Sequence, residues 1–207
     1  MCALGLLLLV ACVGANVKLD AVEDHPGEIV IPVTLHVATK RGQAVVTDAQ
    51  IVASIRRANK SFEDYDIRIE VVKTFHLPRG YTHIVDGSDR VNLAQYAKRD
   101  GTLHVFFVDR VAMQDPEMGD RRVSGLHWRY SGLRWKMYQR EYLVVAEDAP
   151  VTTLAHEVGH AFGLEHSEAE DNIMCSCRRG ATPGFTDWQG EQMRRGALVF
   201  MNRSDGP

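Results

Sequence analysis

Hydrophobic and polar residues alternate in two stretches of the chain, residues 29–37 and 67–71, where every second position is apolar. That period is typical of a β-strand with one buried face. Pro32 has no backbone N–H, so the first strand either begins near it or has an unpaired side there. Residues 103–108 are apolar at nearly every position, which indicates a central strand covered on both faces.

Helical periodicity follows the first strand. Thr47 and Gln50 have the spacing of a capping box. The apolar residues after this box recur at helical spacing and are Ile51, Ile55, Ala58 and Phe62. A second helix is predicted over residues 91–98. The order strand, helix, strand, helix, strand predicts an α/β (α+β) domain with a mostly parallel sheet.

Strand and helix patterns return after residue 140. Residues 142–146 are apolar and β-rich, and a turn at 148–150 leads into a helix that Thr152 or Thr153 caps. The apolar face of this helix consists of Leu154, Ala155, Val158 and Phe162. A second capping box, at residues 186–189, opens a closing helix. The apolar side of the closing helix consists of Met193, Ala197 and Phe200.

Residues 111–140 carry few periodic signals. We interpret residues 115–120 as a loop whose carboxylates either bind calcium or form a solvated acidic turn, and we favour the turn. Residues 125–130 have the pattern of an edge strand. The basic residues of this region are Arg121, Arg122, Arg129, Arg134, Lys136 and Arg140. A solvated face is the usual explanation of such a group, although acidic substrates or anionic lipid headgroups are also compatible with it.

Two histidines on the helix after residue 152 are placed to bind a metal. His156 and His160 are four residues apart and share one helix face, where their ring nitrogens suit zinc. Glu157 lies beside them, as a carboxylate that can take a proton from a zinc-bound water. Gly163 accepts the left-handed conformation common after a helix end, so the chain can return His166 as a third ligand. Three protein ligands leave one position open, as in catalytic zinc sites.

This stretch resembles the metzincin family of zinc endopeptidases. The family pattern H-E-x-x-H-x-x-G-x-x-H is matched at each defined position by His156, Glu157, His160, Gly163 and His166. Metzincins also have a tight turn that carries a methionine beneath the zinc, and Met174 is placed to be that Met-turn residue. The spacing from His166 to Met174 resembles the matrixin branch of the family.

The resemblance implies a metzincin-like fold: a twisted, mixed and mostly parallel sheet with an antiparallel edge strand, two backing helices that include the zinc-binding helix, and a C-terminal helix. It implies a zinc-dependent endopeptidase, with an edge strand at residues 125–130 that pairs with a protein or peptide substrate. An ordinary edge strand with aromatic packing is equally compatible with the sequence. Two alternatives remain open: a peptidase of narrow or exopeptidase specificity, and a non-enzymatic zinc-binding lipoprotein.

The resemblance also bears on the number of metals. Matrixins usually hold a second, structural zinc upstream of the catalytic helix, and we do not find its ligand spacing here, so we expect one catalytic zinc ion. Astacins have a tyrosine soon after the turn methionine, which this chain lacks. We therefore assign no tyrosine to transition-state stabilisation. By the same resemblance, residues 177–184 are expected to form a wall of the pocket just past the scissile bond.

Cys175 and Cys177 are the only cysteines beyond residue 12. Two cysteines in an exported protein suggest a disulfide, although a separation of two residues strains its usual geometry. The pair either forms this bond, stays reduced or contacts the metal. We favour the disulfide.

The N-terminus has the pattern of an export signal. Residues 4–10 are an apolar run of h-region length, and residues 9–12 read L-V-A-C, which resembles the lipobox of bacterial lipoproteins. Residues 1–11 are thus predicted to be a signal peptide, with the lipid anchor on Cys12. No Lys or Arg precedes the apolar run, and the alternative is a secretory signal cut near Ala11 or Ala15. Either interpretation exports the protein, as a cell-envelope lipoprotein or in secreted form.

Length and charge fit one exported domain. Residues 12–27 lack periodicity and form a predicted tether, which leaves residues 28–207 as a single catalytic domain of sufficient length for a core. The 207-residue chain has 24 Lys and Arg against 27 Asp and Glu, a net charge of −3 with neutral histidines. That balance provides no general attraction for nucleic acid. We expect a monomer.

Overall fold

The structure, a computed structural model, describes residues 27–115, 119–130, 140–177 and 183–204. In chain order these residues form β1 (Ile29–Val37), β2 (Thr39–Lys40), β3 (Gln43–Ala44), α1 (Asp48–Phe62), β4 (Ile67–His76), β5 (His83–Ile84), α2 (Gly87–Ala94), β6 (Leu103–Val108), β7 (Arg110–Asp115), β8 (Gly119–Val123), β9 (Gly125–Arg129), β10 (Glu141–Ala146), α3 (Thr153–Ala161) and α4 (Asp187–Ser204). The predicted signal peptide, Cys12 and nearly all of the tether lie outside the described residues.

The main sheet of the described region has five strands in the order β4–β1–β6–β10–β9. The first four strands run parallel to their neighbours, and β9 pairs antiparallel with β10 at one edge. The predicted mostly parallel sheet with an antiparallel edge strand is therefore confirmed. Smaller pairings, β2 with β3 and β5–β7–β8, form two further sheets.

Pro32 lies in β1 at a point where only one side of that strand is paired. Its partner is Glu70 of β4, and the pairing of β1 with β6 begins one residue later, at Val33 with Leu103. The missing N–H of proline therefore removes no hydrogen bond from the central pair of strands. The predicted unpaired side at Pro32 is confirmed.

The core lies between the sheet and the helices. Every residue of β6 is buried, as expected for a central strand, and so is the predicted apolar stripe of α1. Thr47 caps α1: its hydroxyl accepts the N–H of Gln50, and the Gln50 side chain accepts the N–H of Thr47 in return. Helices α1 and α3 pack on each other, and α3 also packs against β9 and β10. The α3 helix is thus held between the core and the sheet edge.

Helix α4 crosses the end of α3 at close range. A Cβ atom placed on Gly196 would lie 2.3 Å from the carbonyl oxygen of Phe162, so only glycine permits this approach. The predicted capping box of α4 is present, because the Thr186 hydroxyl accepts the N–H of Gln189 and the Gln189 side chain accepts the N–H of Thr186. Among the described helices, none has the length and apolar content needed to cross a bilayer.

Two elements differ from the sequence prediction. Helix α2 begins at Gly87 rather than near residue 91, because Asp86 caps it and accepts the N–H groups of Ser88 and Asp89. Asp89, three residues after the cap, accepts the backbone N–H of Asp86 in return, at the position where the usual capping box has Glu or Gln. Asp115, Gly119 and Asp120, expected in a loop, belong instead to the paired strands β7 and β8, and residues 116–118 of the predicted loop lie outside the described residues.

A pair of histidines is buried in the sheet away from the predicted metal ligands. The ring nitrogens Nε2 of His36 and Nδ1 of His104 are 2.9 Å apart, and His104 Nε2 donates to the Lys98 carbonyl at 2.8 Å. Because a neutral His104 then carries its proton on Nε2, its Nδ1 atom accepts a hydrogen bond from His36 Nε2. The Nδ1 atom of His36 has no hydrogen-bond partner among the described residues. Burial and the neighbouring His104 lower the pKa of His36 to about 3, and burial lowers the pKa of His104 as well.

The buried His36 should make the protein sensitive to mild acid. Its pKa is about 3 in the folded state against the ordinary 6.5, so between these values the unfolded chain binds more protons and stability is lost as the pH falls. The loss should reach about 1.4 kcal/mol per pH unit for this group. We expect His36→Phe to lower the slope of unfolding free energy between pH 7 and pH 5, measured with urea. The exposed His76→Gln control should keep the parental slope; equal slopes for His36→Phe and the parent would contradict the assignment.

Candidate metal centre

Helix α3 presents two polar side chains at the edge of the core. His156 and Glu157 are 6% and 5% exposed, and the predicted apolar face of the helix is fully buried on the other side. Thr152 stands at the N-cap position, but its side chain makes no capping hydrogen bond. Packing therefore holds this helix in place more than its cap does.

Gly163 ends α3 as predicted. Its φ angle is +93°, in the left-handed region, and the two hydrogen bonds of a Schellman motif close the turn: Gly163 N–H to the His160 carbonyl, and Leu164 N–H to the Gly159 carbonyl. The same turn orients a side chain, because His160 Nδ1 donates to the Leu164 carbonyl at 2.8 Å. The sharp change of direction returns the chain towards α3 with His166.

Three histidines meet at one point. The Nε2 atom of His160 lies 3.1 Å from that of His156 and 3.2 Å from that of His166. These three are the residues of the described region that could together hold a metal ion. All three predicted ligands are thus brought together, from the helix and from the segment after its turn.

The hydrogen bonds of two of these rings decide what the cluster can bind. His156 Nδ1 contacts the Ile173 carbonyl at 2.7 Å, and His160 Nδ1 contacts the Leu164 carbonyl. A carbonyl oxygen only accepts, so both Nδ1 atoms carry the proton and both Nε2 atoms present lone pairs. Burial, reinforced by the imidazoles of His166 and His127, also holds the pKa of His160 below its ordinary value. Neutral imidazoles with converging lone pairs attract a cation.

The spacing of these nitrogens fits zinc. Two ligands at 2.0–2.1 Å from a tetrahedral zinc ion are about 3.4 Å apart, close to the observed separations of 3.1 and 3.2 Å. Backbone carbonyls that fix the ring orientation are the usual outer partners of zinc-binding histidines. His156, His160 and His166 therefore fit a three-histidine zinc site with one open position.

A turn at residues 172–175 lies beneath the three histidines. Its Ile173 carbonyl holds His156, and the Met174 carbonyl accepts the N–H of Ser167, the residue after the third ligand. Met174 is fully buried, and a Cβ atom on Gly159 would lie 2.6 Å from its sulfur. Met174 therefore packs directly against α3, at the place expected for a Met-turn residue.

An amide pair ties this turn to α4. The Asn172 Nδ2 donates to Gln189 Oε1 at 2.7 Å, and Gln189 Nε2 donates back to Asn172 Oδ1 at 3.2 Å. Asn172 Oδ1 also accepts the N–H of Met174 at 2.9 Å. Both amides are buried, so the contact fixes the turn relative to the closing helix. The sequence marked Gln189, the last residue of the predicted capping box, but not its contact with Asn172.

Glu157 lies against the edge strand. A Cβ atom on Gly125, the first residue of β9, would lie 2.4 Å from Glu157 Oε1 and 2.6 Å from Thr153 Cγ2. Gly125 therefore allows β9 to run beside the carboxylate. No local sequence signal pointed to this glycine, because the contact joins a strand and a helix far apart in the chain.

A cleft of about 1020 Å³ opens over these residues. It is lined by His156, Glu157, His160 and His166 on one side and by β8 and β9 on another. In β9, His127 stacks beside His160 with ring centroids 6.4 Å apart, and its Nε2 donates to Glu141 Oε1 at 2.7 Å. Burial would raise the pKa of Glu141, but the His127 and Arg129 contacts hold it below its ordinary value.

Cys175 and Cys177 form a disulfide, the arrangement favoured from the sequence. Both cysteines line the cleft beside the turn, together with Ser176 and Pro183. Much of the predicted pocket wall at 177–184 lies outside the described residues, which resume at Pro183.

Comparisons with known proteins agree with this geometry. A model of the reprolysin type of metallopeptidase family M12 matches residues 28–203. A search of curated protein sequences finds no match. The metzincin resemblance is thus confirmed at family level, while the closer likeness to matrixins and the lipoprotein signal stay predictions.

Solved structures share the fold. Metalloproteinase-II from Bacteroides fragilis is 16% identical with a TM-score of 0.57, over 84% of this chain and 56% of that one. Archaemetzincin from Methanopyrus kandleri is 16% identical with a TM-score of 0.53, over 84% and 98%. A promirolysin mutant from Tannerella forsythia is 15% identical with a TM-score of 0.59, over 86% and 85%.

The chain thus spans little more than half of the first of these structures, and at such identities the likeness is one of fold alone. The family model is more specific, because it covers most of the chain, including the helix and turn that bring the three histidines together. The chain belongs to metallopeptidase family M12, a family of zinc-dependent peptidases.

Proposed function

We propose that the protein is a zinc-dependent endopeptidase that cuts extended protein or peptide segments. One observation carries the proposal: the Nε2 atom of His160 lies within 3.2 Å of those of both His156 and His166, in a cleft that also holds a buried carboxylate and a sheet edge. The eight-residue step from His166 to Met174 supports a matrixin-like turn within the family.

His156, His160 and His166 would hold the zinc ion through Nε2. When bound, zinc lowers the pKa of a coordinated water to about 7 and polarises a carbonyl oxygen. The backbone carbonyls of Ile173 and Leu164 keep two of the three rings in the required tautomer and orientation. No rearrangement of those rings is then needed for the metal to bind.

Glu157 would act as general base and then as general acid. It takes a proton from the attacking water and delivers it to the amine nitrogen that leaves. Its position in α3, one residue after His156 and against β9, places the carboxylate between the metal ligands and the strand that faces the substrate.

Strand β9 would hold the substrate backbone. It ends the five-stranded sheet, and no other described strand pairs with its outer side. A peptide in extended form can add to such an edge through main-chain hydrogen bonds. This mode of binding uses the backbone of the peptide rather than particular side chains, so it suits unfolded segments of proteins.

Gly125→Ala should separate the strand from the carboxylate. The added methyl group would clash with Glu157 and Thr153, so one of the two elements must shift. A displacement of about 1 Å near reacting groups can cost up to about 100-fold in rate. We expect kcat/KM for a peptide to fall towards that limit while zinc content, measured by atomic absorption, stays at the parental level. The control Gly87→Ala, where the nearest atom is 4.0 Å away, should keep parental activity; an active Gly125→Ala would contradict the placement.

The class of peptidase can be tested with a long peptide blocked at both ends. We expect the zinc-loaded protein to cut it at internal bonds, identified by mass spectrometry, and a chelator to stop the reaction. Shortening of an otherwise identical unblocked peptide from its ends, with no cut in the blocked one, would indicate an exopeptidase. Peptide binding without any cleavage would indicate a zinc-binding protein without enzymatic activity.

We also propose export through residues 1–11 and lipid attachment at Cys12. The apolar run and the L-V-A-C ending support this proposal, and a lipid would keep the peptidase at a membrane surface. Labelling of a bacterial expression host with a fatty-acid analogue should mark the parent but not Cys12→Ser. An unlabelled parent in the medium would favour the secreted alternative.

A further inference from the structure

The wall of the cleft next to β9 is cationic. Arg121 and Arg122 of β8 both line the cleft, whereas Glu157 is the only carboxylate among the described lining residues. That carboxylate is 5% exposed and lies against β9 and α3. A ligand that enters the cleft therefore meets positive charge on the β8 side, where no described lining residue carries an exposed carboxylate.

The two arginines differ in their partners. Arg122 is bound to Asp148, with Nη2 and Oδ2 2.8 Å apart. Arg121 has no ion pair with any described residue, and its side chain is exposed. Arg121 is therefore the arginine whose charge is left for a ligand.

An apolar side chain accompanies the unpaired charge. Met113 lies directly opposite Arg121 in the β7–β8 hairpin, lines the same cleft and is 40% exposed. A flexible thioether next to a guanidinium suits a side chain with an apolar stem and an anionic end. Glutamate has this form: two methylene groups, then a carboxylate that a guanidinium can bind through two parallel hydrogen bonds.

We propose that Arg121 and Met113 form a subsite that selects an acidic side chain, glutamate above all, in the substrate. This inference rests on the proposed endopeptidase function and names the class of substrate for the same cleft. The subsite sets which peptides bind and are cut efficiently; it takes no part in the chemical step.

Strand direction places the acidic residue on one side of the cut. Strand β8 precedes Gly125, so the subsite lies beyond the N-terminal end of β9, past the point where β9 meets Glu157. A substrate that pairs antiparallel with β9, the more stable pairing, has its C-terminal part at that end. The acidic residue is then expected among the first few residues after the cut bond.

Paired peptides test this subsite. Two blocked fluorogenic peptides would differ only in Glu or Gln at the second and third positions after the cut. We expect the parent to favour the Glu peptide by about fivefold in kcat/KM, the size of a solvent-exposed ion pair. In Arg121→Gln the ratio of the two kcat/KM values should fall towards one. Arg121→Glu should instead favour a third peptide, with Lys at those positions. The preference for Glu should persist in the matched control Arg122→Gln, because the charge of Arg122 is already paired with Asp148. High salt should reduce the parental ratio, because ions screen exposed charges.

Zinc content and thermal unfolding midpoints equal to the parent would show that the variants are folded. Equal kcat/KM for the Glu and Gln peptides in the parent would overturn the inference, and so would a preference that survives in Arg121→Gln. If the parent cuts neither peptide, the proposed function fails, and the dissociation constants of the two peptides then decide the inference. Tighter binding of the Glu peptide by the parent but not by Arg121→Gln would support it, and equal binding would overturn it.

Discussion

Replacing Glu157 with alanine is expected to lower kcat about 1000-fold while zinc remains bound. General acid–base catalysis contributes about 10²- to 10⁴-fold to such reactions, and no other carboxylate among the described residues lines the cleft to take over the proton. His156 and His160 keep their hydrogen bonds to the backbone in this variant, since the acceptors are the carbonyls of Ile173 and Leu164 and not Glu157. Peptide cleavage rates beside zinc content would measure both effects.

The matched control is Glu165→Ala, which removes an exposed carboxylate next to the third histidine. It should keep near-parental kcat. A Glu157→Ala protein that turns over at the parental rate would rule out the general-base assignment. A variant that loses its zinc would instead show that the carboxylate has a structural role in the metal site.

Replacing His166 with alanine is expected to weaken zinc binding at least about 100-fold. Loss of a mere outer partner of a metal ligand typically costs 10- to 100-fold, and loss of a ligand removes a bond to the metal itself. His166 is the ligand best suited to this test, because it is exposed and lies after the turn, whereas His156 is buried in α3. Its removal should leave the helix and core intact, so the variant should fold and fail only in metal binding.

Zinc affinity would be measured by competition with a chelator of known strength. Thermal unfolding provides a second measure, because a ligand that binds only the folded state raises the unfolding temperature. Added zinc should raise the unfolding temperature of the parent much more than the unfolding temperature of His166→Ala. The exposed His76, at the end of β4, supplies the control, and His76→Ala should bind zinc as the parent does. Equal affinity of His166→Ala and the parent would remove His166 from the ligand set.

The zinc-binding helix and its turn could be predicted because their geometry is local. Residues four apart share a helix face, so His156 and His160 had to lie together, and Gly163 could adopt the left-handed conformation that returns His166. Hydrophobic patterns likewise placed β1, α1, β6 and α4. Helices α1 and α4 each have an apolar stripe that is buried, β1 alternates over its first half, and β6 is apolar throughout because both of its faces are covered.

The contacts that complete the site could not be predicted, because they depend on tertiary register. Gly125 meets Glu157 only through the position of β9 beside α3, and the Asn172–Gln189 amide pair forms only where the turn meets α4. Helix α2 began earlier than expected because an aspartate takes the return position of its capping box. The β7–β8 hairpin, with Arg121 in it, was hidden by the lack of alternating polarity: all but the last residue of β8 are exposed.

The measurement that most directly tests the account is the return of activity to the metal-free protein as zinc is added. Peptide cleavage would be followed against zinc equivalents per chain, with His166→Ala measured in parallel. We expect cleavage to rise from zero and level off at one zinc per chain in the parent, and to stay near zero over the same range in the variant. Cleavage by the metal-free parent, or an inactive parent that holds one zinc, would contradict the claim that these three histidines form a catalytic zinc site.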